Sequence, residues 1–364
     1  MSQLAALPLA SADLGALRER VRLVAENRPA VYRMTDPAGR LLYVGKAKRL
    51  RARLMSYFRA SFPEDKAARI LHAAGDITWD YVHSEFAACL GELRQIRQHR
   101  PPFNVAMNRT RRAVFVKILD SPAPKVYQGA TIGRQDAKVY GPFRSPARVA
   151  EGVRILNDLL GLRDCEARMP IVFADQGDLF TAATQAACHR HELGQCAGPC
   201  AGLVSEPDYR RRIDTAVAFL EGRTVQPIDK AIAAMQEASL AQDFERAARW
   251  RERFEHLEWL LAATARSRAA VDLLTFVYRD PGVFGDDRAY LVRRGTVRAC
   301  FPFPTTPIER IAFGAVVREE LAREEPATGA LPIEAIDEIL LLMSWFRVHP
   351  EALKRTTTLE EWKD

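Results

Sequence analysis

The 364-residue sequence has no long apolar run. Stretches such as Ile339 to Met343 fall far short of the ~20 residues that a membrane-spanning helix needs. The start, Met1 to Leu14, lacks a basic leader and carries Asp13, so no secretory signal peptide is expected. Cysteine is scarce, with six residues, and four of them crowd between Cys165 and Cys200. That crowding in a chain of this size excludes a secreted disulfide scaffold. A cytoplasmic protein is the expectation. Internal repeats are missing as well. Hydrophobic residues make up 48% and charged residues 27%, which excludes global disorder, and the length predicts two or three domains.

Acidic residues are missing from one region. Between Arg40 and Ala60 there are seven Lys/Arg and no Asp or Glu. Residues 1–113 hold 20 basic and 10 acidic residues, whereas 114–364 hold 33 and 36, so the whole basic excess lies in the first third. Such a run suits a polyphosphate partner, because each neutralised phosphate releases counterions. A solvated, solubilising face is the alternative reading.

Periodicity predicts a helix over 13–26, then a hairpin whose strands Pro29–Asp36 and Arg40–Gly45 flank an Asp-Pro-Ala-Gly turn. A basic helix over Lys46–Phe58, a strand over Asp76–Val82 and a helix from the N-cap Ser84 to His99 follow. Phe86, Leu90 and Leu93 form the apolar stripe of that helix, and Pro101-Pro102 stops it. Two strands are expected over 114–126, a turn at Tyr140–Phe143, and helices over 145–160 and 206–220. Residues 228–262 read as a helical hairpin. Strands over 271–279 and 288–303 flank a Gly/Asp-rich turn, helices over 307–323 and 333–347 follow, and the last dozen residues are polar and expected to be mobile.

Chemistry concentrates in the hairpin. Tyr32 and Tyr43 lie on paired strands, followed by Lys46, Lys48, Arg51 and Arg53. Pairing can bring the phenols side by side, and Gly45 would let backbone approach a ligand closely. A phenol beside cations could accept a proton. Ordinary strand aromatics are the bland alternative.

The stretch AVYRMTDPAGRLLYVGKAKRLRARLMSYF resembles the GIY-YIG nuclease domain of the UvrC family of excinucleases, which reads approximately PGVYxMxDxxGxxLYVGKAKNLxxRxxSYF. The likeness continues through SEFAACLGELRQIRQHRPPFN, similar to the family's acidic helix and HRPxYN element. The resemblance implies an α+β protein with a small GIY-YIG nuclease domain. It places Tyr32 and Tyr43 at the motif tyrosines, Lys46 just after them, Arg53 on the scissile phosphate and Tyr57 in SYF. It places Glu92 at the single metal-binding carboxylate and Asn104 at the Asn of HRPxYN. Ala30, Arg94 and Phe103 depart from the family's common Gly, Asn and Tyr, and none of these changes removes a catalytic group. One carboxylate favours Mg²⁺ or Mn²⁺.

Cys165, Cys188, Cys196 and Cys200 resemble UvrC's CLxYxIGxCxAPC with its upstream Cys, which implies a 4Fe-4S cluster. Structural zinc, with His189 or His191 as substitute ligands, and a reduced set of thiols with no metal are the alternatives. Cys89 and Cys300 read as core residues. The segment Met235 to Glu252 resembles the UVR motif that pairs with a matching hairpin of UvrB, although the family's Leu before DFERAA is Gln242 here.

The expected organisation is thus a nuclease domain over 1–113, a middle domain with a Cys-rich loop over 114–224, a UVR-like hairpin over 225–265 and a small α+β region of unknown role over 266–364. After Ala265 there is no Asp-x-Ser-His motif and no helix-hairpin-helix signature, so a second nuclease is not expected. The resemblance implies a short, Cho-like nuclease that cuts damaged duplex DNA 3′ to a lesion. The alternatives are a GIY-YIG nuclease acting on branched or foreign DNA, and a non-catalytic repair adaptor.

Overall fold

The computed structural model describes residues 13–104, 113–133, 136–176, 188–323, 330–332 and 335–362. The chain forms two compact units. One comprises Met1–Thr110, Leu274–Glu324 and Asp337–Asp364, and the other Arg111–Leu273 and Glu325–Ile336. No helix among the described residues is long and apolar enough to cross a membrane.

The first unit begins with α1 (Leu14–Val24), β1 (Ala30–Thr35), β2 (Leu41–Ala47), α2 (Leu50–Tyr57), α3 (Lys66–Ala73), β3 (Asp76–Tyr81) and α4 (Glu85–His99). The strands form an antiparallel sheet in the order β2-β1-β3, with β2 at its edge. The β1–β2 turn is tied by Asp36, whose carboxylate accepts from the backbone of Ala38 and Arg40, both at 2.9 Å. Lys46 and Ala47 are still strand, where the sequence predicted helix. Helix α3, buried through Ala68, Ile70 and Leu71, was not foreseen. One sheet face packs Tyr32, Met34 and Tyr43 with Val21, Leu50, Leu54 and Leu71. On the other face Val31 and Val44 meet Ala88 of α4.

The second unit holds β4 (Val114–Leu119), β5 (Val126–Gly129), β6 (Asp136–Phe143), α5 (Pro146–Leu160), the short α6 (His189–Glu192), α7 (Glu206–Leu220), α8 (Gln226–Leu240) and α9 (Phe244–Asp272). Tyr140–Phe143 continues β6 with a register shift rather than turning, because it pairs with β4. The predicted helical hairpin is present as α8 and α9, and α9 runs ten residues beyond the predicted end. Gly152 lets α5 approach α9, since a Cβ there would press on Leu260 at 3.2 Å.

The chain then returns to the first unit with β7 (Phe276–Asp280), β8 (Arg288–Arg293), β9 (Thr296–Pro302), α10 (Pro307–Ala322), α11 (Ile336–Val348), a 3-10 helix (Pro350–Arg355) and β10 (Thr356–Thr357). These strands make an antiparallel sheet in the order β10-β7-β8-β9. The final residues are therefore not a loose tail. β10 pairs with β7, and Trp362 packs edge-on against Phe313 at 4.9 Å. Cys300, expected in the core, is exposed on β9.

The α8–α9 turn places Gln242 at φ +59°, a left-handed conformation that favours glycine. Gln242→Gly is expected to raise stability by about 0.5–1 kcal/mol, read as a higher midpoint in thermal unfolding; a lower midpoint would contradict it.

Candidate active site

The candidate site wraps around the edge strand β2. Side chains alternate along the strand, so Tyr43 faces the α2 side and Lys46 the α4 side. Tyr32 on β1 stands opposite Gly45. A Cβ at Gly45 would collide with the Tyr32 phenol, so the glycine makes room for this ring rather than for a ligand. The rings of Tyr32, Tyr43 and Tyr57 form a triangle with centroids 6.0–6.4 Å apart. The Tyr32 and Tyr57 hydroxyls share a hydrogen bond of 2.8 Å.

Arg53 reaches this triangle from α2. Its Nε donates to the Tyr32 hydroxyl at 3.3 Å, and its guanidinium lies 5.2 Å from the centre of the Tyr57 ring. The helix needs no side-chain cap of its own. The N–H groups of Leu50 and Arg51 donate to the carbonyls of Arg28 and Glu26, both at 3.2 Å, and that of Ala52 donates to Asn27 Oδ1 at 3.0 Å. The loop before β1 thereby sets where Arg53 points.

On the other side of β2, Lys46 lies beside Glu92 and Cys89 of α4. Gly91 lets α4 come close to the sheet, since a Cβ there would lie 2.9 Å from Val31 Cγ2. Burial pushes the Glu92 carboxyl above the ordinary carboxylate range, and Lys46 and Arg53 offset part of that rise. Burial opposes the charge on Lys46, but Cys89, Glu92 and Glu85 outweigh it and leave the ammonium pKa raised. All three phenols are pushed up, by burial first and then by each other. They are therefore neutral at ordinary pH.

Tyr32, Tyr43, Lys46, Arg53, Tyr57 and Glu92 lie in this cluster, whereas Arg51 turns from it to the carbonyl of Ala25. Asn104 is a support. Its Oδ1 accepts from Val44 N–H and its Nδ2 donates to Val44 C=O, each at 2.8 Å, so both ends of its amide pin β2. Cys89, read as a plain core residue, is hydrogen-bonded to Lys46. Only its position one turn before Glu92 hinted at this in the sequence.

The four clustered cysteines lie in the second unit. Burial pushes the thiols of Cys196 and Cys200 up, and the neighbouring Cys165 and Cys188 add to both rises. The buried Arg163 donates to Cys165 Sγ at 3.6 Å, and Gly198 N–H donates to Cys196 Sγ at 3.5 Å. Among the described residues, however, no three or more His, Cys, Asp or Glu side chains are arranged to hold a metal ion. The histidines named as substitute ligands are engaged elsewhere. His191 Nδ1 bonds Cys196 C=O at 2.9 Å, and the exposed His189 pairs with Glu192 at 3.5 Å.

Asn104→Ala is expected to leave the Val44 N–H and C=O buried without partners and to cost about 1–3 kcal/mol. Asn104→Asp should do no better despite its equal size, because a carboxylate cannot donate to Val44 C=O. Urea unfolding of the two variants checks this, and an Asp variant as stable as wild type would contradict it.

Residues 28–105 match the UvrC-like GIY-YIG domain, 113–219 the UvrC/Cho excinuclease middle domain and 226–258 the UvrB/UvrC motif. UvrABC system protein C of Acinetobacter baylyi is 31% identical over 255 residues, covering 69% of this chain and 41% of that protein. Its counterpart in Chromohalobacter salexigens is 34% identical over 234 residues, covering 64% and 37%. The chain thus spans about two fifths of the length of these curated relatives. A solved GIY-YIG N-terminal endonuclease domain of UvrC from Thermotoga maritima, bound to its catalytic divalent cation magnesium, is 35% identical. That match covers 25% of this chain and 97% of that one, with a TM-score of 0.22. Three UvrC-family domains thus follow one another along the chain in a single order, and the chain belongs to the UvrC-like GIY-YIG endonuclease family.

Proposed function

We propose that this chain is a DNA endonuclease that hydrolyses a phosphodiester 3′ to a lesion, with one Mg²⁺ or Mn²⁺ held at Glu92. The observation that carries the reading is the convergence of Arg53, Lys46, Glu92 and three phenols around the edge of β2. A single carboxylate ligand suits a cation that keeps most of its waters. A divalent cation held by Glu92 would supply a Lewis acid for the leaving oxygen. Arg53 offers guanidinium N–H groups to the charge that builds on phosphorus oxygens. Tyr32 acts on the attacking water as the phenolate: its own proton passes first to solvent, and the phenolate then takes the proton of the water, with Lys46 and Tyr43 in support. Because burial favours the neutral phenol, that first proton loss depends on the positive charge that Arg53 brings to its oxygen. Tyr57 orients Tyr32 through their shared hydrogen bond, and Asn104 acts at one remove by holding β2. The functional division follows the sequence reading, with the nuclease over 1–113, a middle domain over 114–224 and a UVR hairpin over 225–265.

The basic run around α2 favours DNA as substrate. For the α8–α9 hairpin, the proposed partner is UvrB, through a matching helical hairpin. Leu240 and Phe244 stand 88% and 70% exposed beside its turn, available to such a surface. For Cys165, Cys188, Cys196 and Cys200 the proposed group is a 4Fe-4S cluster, supported by the N–H groups aimed at two of the sulfurs, and holding it would require the four thiols to converge from the arrangement described above.

On a lesion-bearing duplex labelled at both ends, one product 3′ to the lesion is expected. Glu92→Ala should abolish it, and Arg53→Ala should slow it by about two to three orders of magnitude while binding falls less. Nicking by Glu92→Ala at the wild-type rate would overturn the metal assignment.

Anaerobic preparations should contain stoichiometric iron that Cys196→Ser and Cys200→Ser lose. Stoichiometric zinc without iron would replace the cluster with structural zinc.

A further inference from the structure

Helix α4, which carries Glu92, is buried on both sides. Its inner face lies on the nuclease sheet through Ala88 and Gly91. Its outer face carries Phe86 and Leu90, one turn apart and 0% and 3% exposed. These side chains pack with Phe276, Tyr278, Tyr290, Leu342 and Phe346 of the C-terminal sheet and α11. The Phe86 ring meets Tyr278 and Tyr290 edge-on at 5.1 and 5.0 Å. One turn further along the same stripe, Arg94 Nη2 lies 3.5 Å from the buried Glu338, whose carboxylate also accepts from Val297 N–H at 3.0 Å.

The start of the helix is held by a single buried carboxyl. Asp280, at the end of β7, is 2% exposed. Its Oδ2 receives His83 Nε2 at 2.9 Å and the Ser84 hydroxyl, and its Oδ1 accepts from Tyr278 at 3.3 Å. Ser84 Oγ in turn caps α4 by accepting from Ala87 N–H at 2.9 Å. Val283 N–H donates to His83 C=O at 2.9 Å, so the β7–β8 turn also grips the residue before the cap.

We propose that Leu274–Glu324 and Asp337–Asp364 form a positioning module for the nuclease, with Asp280 as its anchor. By holding His83 and Ser84, Asp280 fixes the first turn of α4 and thereby the placement of Glu92 two turns along. The module gives the last hundred residues a role without any chemistry of their own. The role in catalysis rests on the proposed function of Glu92 as cation ligand. The anchoring of α4 does not.

The test uses the full chain and Mn²⁺ as probe. Asp280→Ala is expected to speed amide hydrogen exchange in the first turn of α4. It should also weaken Mn²⁺ binding, measured by electron paramagnetic resonance without DNA, by about tenfold, as loss of an outer support does. Asp280→Asn keeps one of the two acceptor oxygens, so it can still accept from Ser84 or from Tyr278 but not from both, and should recover part of the affinity. If Asp280→Ala does not fold, Arg94→Ala at the half-exposed end of the same face should produce smaller shifts in the same direction. Unchanged exchange in the folded variant overturns the anchor. Faster exchange with unchanged Mn²⁺ affinity overturns its link to Glu92. A wild-type protein that binds no Mn²⁺ defeats the Glu92 reading instead, while the exchange result still decides the anchor.

Discussion

The placement of edge strand β2 is the constraint on which the candidate site depends. Tyr32 can cross β2 only where the strand has no side chain, and register puts Gly45 at that point. The two neighbours of Gly45 do different work on the opposite face. Val44 meets Ala88 in the core and is pinned through its backbone by Asn104, while Lys46 turns to Glu92. A shift of β2 by one residue would exchange its faces, sending Lys46 to the tyrosines and Tyr43 to α4. The doubled hydrogen bond from Asn104 opposes that slip, and it does so from a loop sixty residues away in sequence.

Much of the site was legible because the motif fixes residue types on elements that period and turn signals locate. The hairpin around Asp36, the cap at Ser84 and the helix from 85 to 99 are present as the sequence predicts. What could not be read depends on distant partners. Gly45 was expected to admit a ligand, but the space is filled by Tyr32, a fact about register rather than about residue type. The resemblance places Asn104 at the Asn of HRPxYN; its bonds to the backbone of Val44 carry no sequence signal of their own. Lys46 was placed on the helix because basic residues follow it without interruption, whereas strand pairing with Val31 keeps it in β2.

The C-terminal region illustrates the same limit over a longer range. Phe86, Leu90 and Leu93 were read as one apolar stripe, enough for a helix lying on one sheet. In the structure Phe86 and Leu90 turn away from the nuclease sheet to meet residues nearly two hundred positions later. Arg94, noted as a departure from the family's common Asn, has its reason there as well, since it faces Glu338. Tail residues that looked polar and loose are held by β10 on β7 and by Trp362 against Phe313, contacts made by two short segments that propensity alone could not locate.

Electrostatics explains why the site is assembled from residues of both signs and not from cations alone. Three phenols packed together raise each other's resistance to ionisation, and burial adds to it. A buried carboxylate beside them would also favour its proton if no cation were near. Lys46 on one side of β2 and Arg53 on the other oppose that tendency from two directions. Lys48 is different: its ammonium pairs with Glu85 at 3.3 Å, so part of the basic run is spent on binding α2's neighbourhood to the first turn of α4. The charge run seen in the sequence therefore divides by geometry. Arg53 and Lys46 turn inward to the phenols and Glu92, and Lys48 turns toward the helix that carries Glu92. A net positive field at this edge of the sheet is what allows one carboxylate to stay within reach of a phosphate without repelling it.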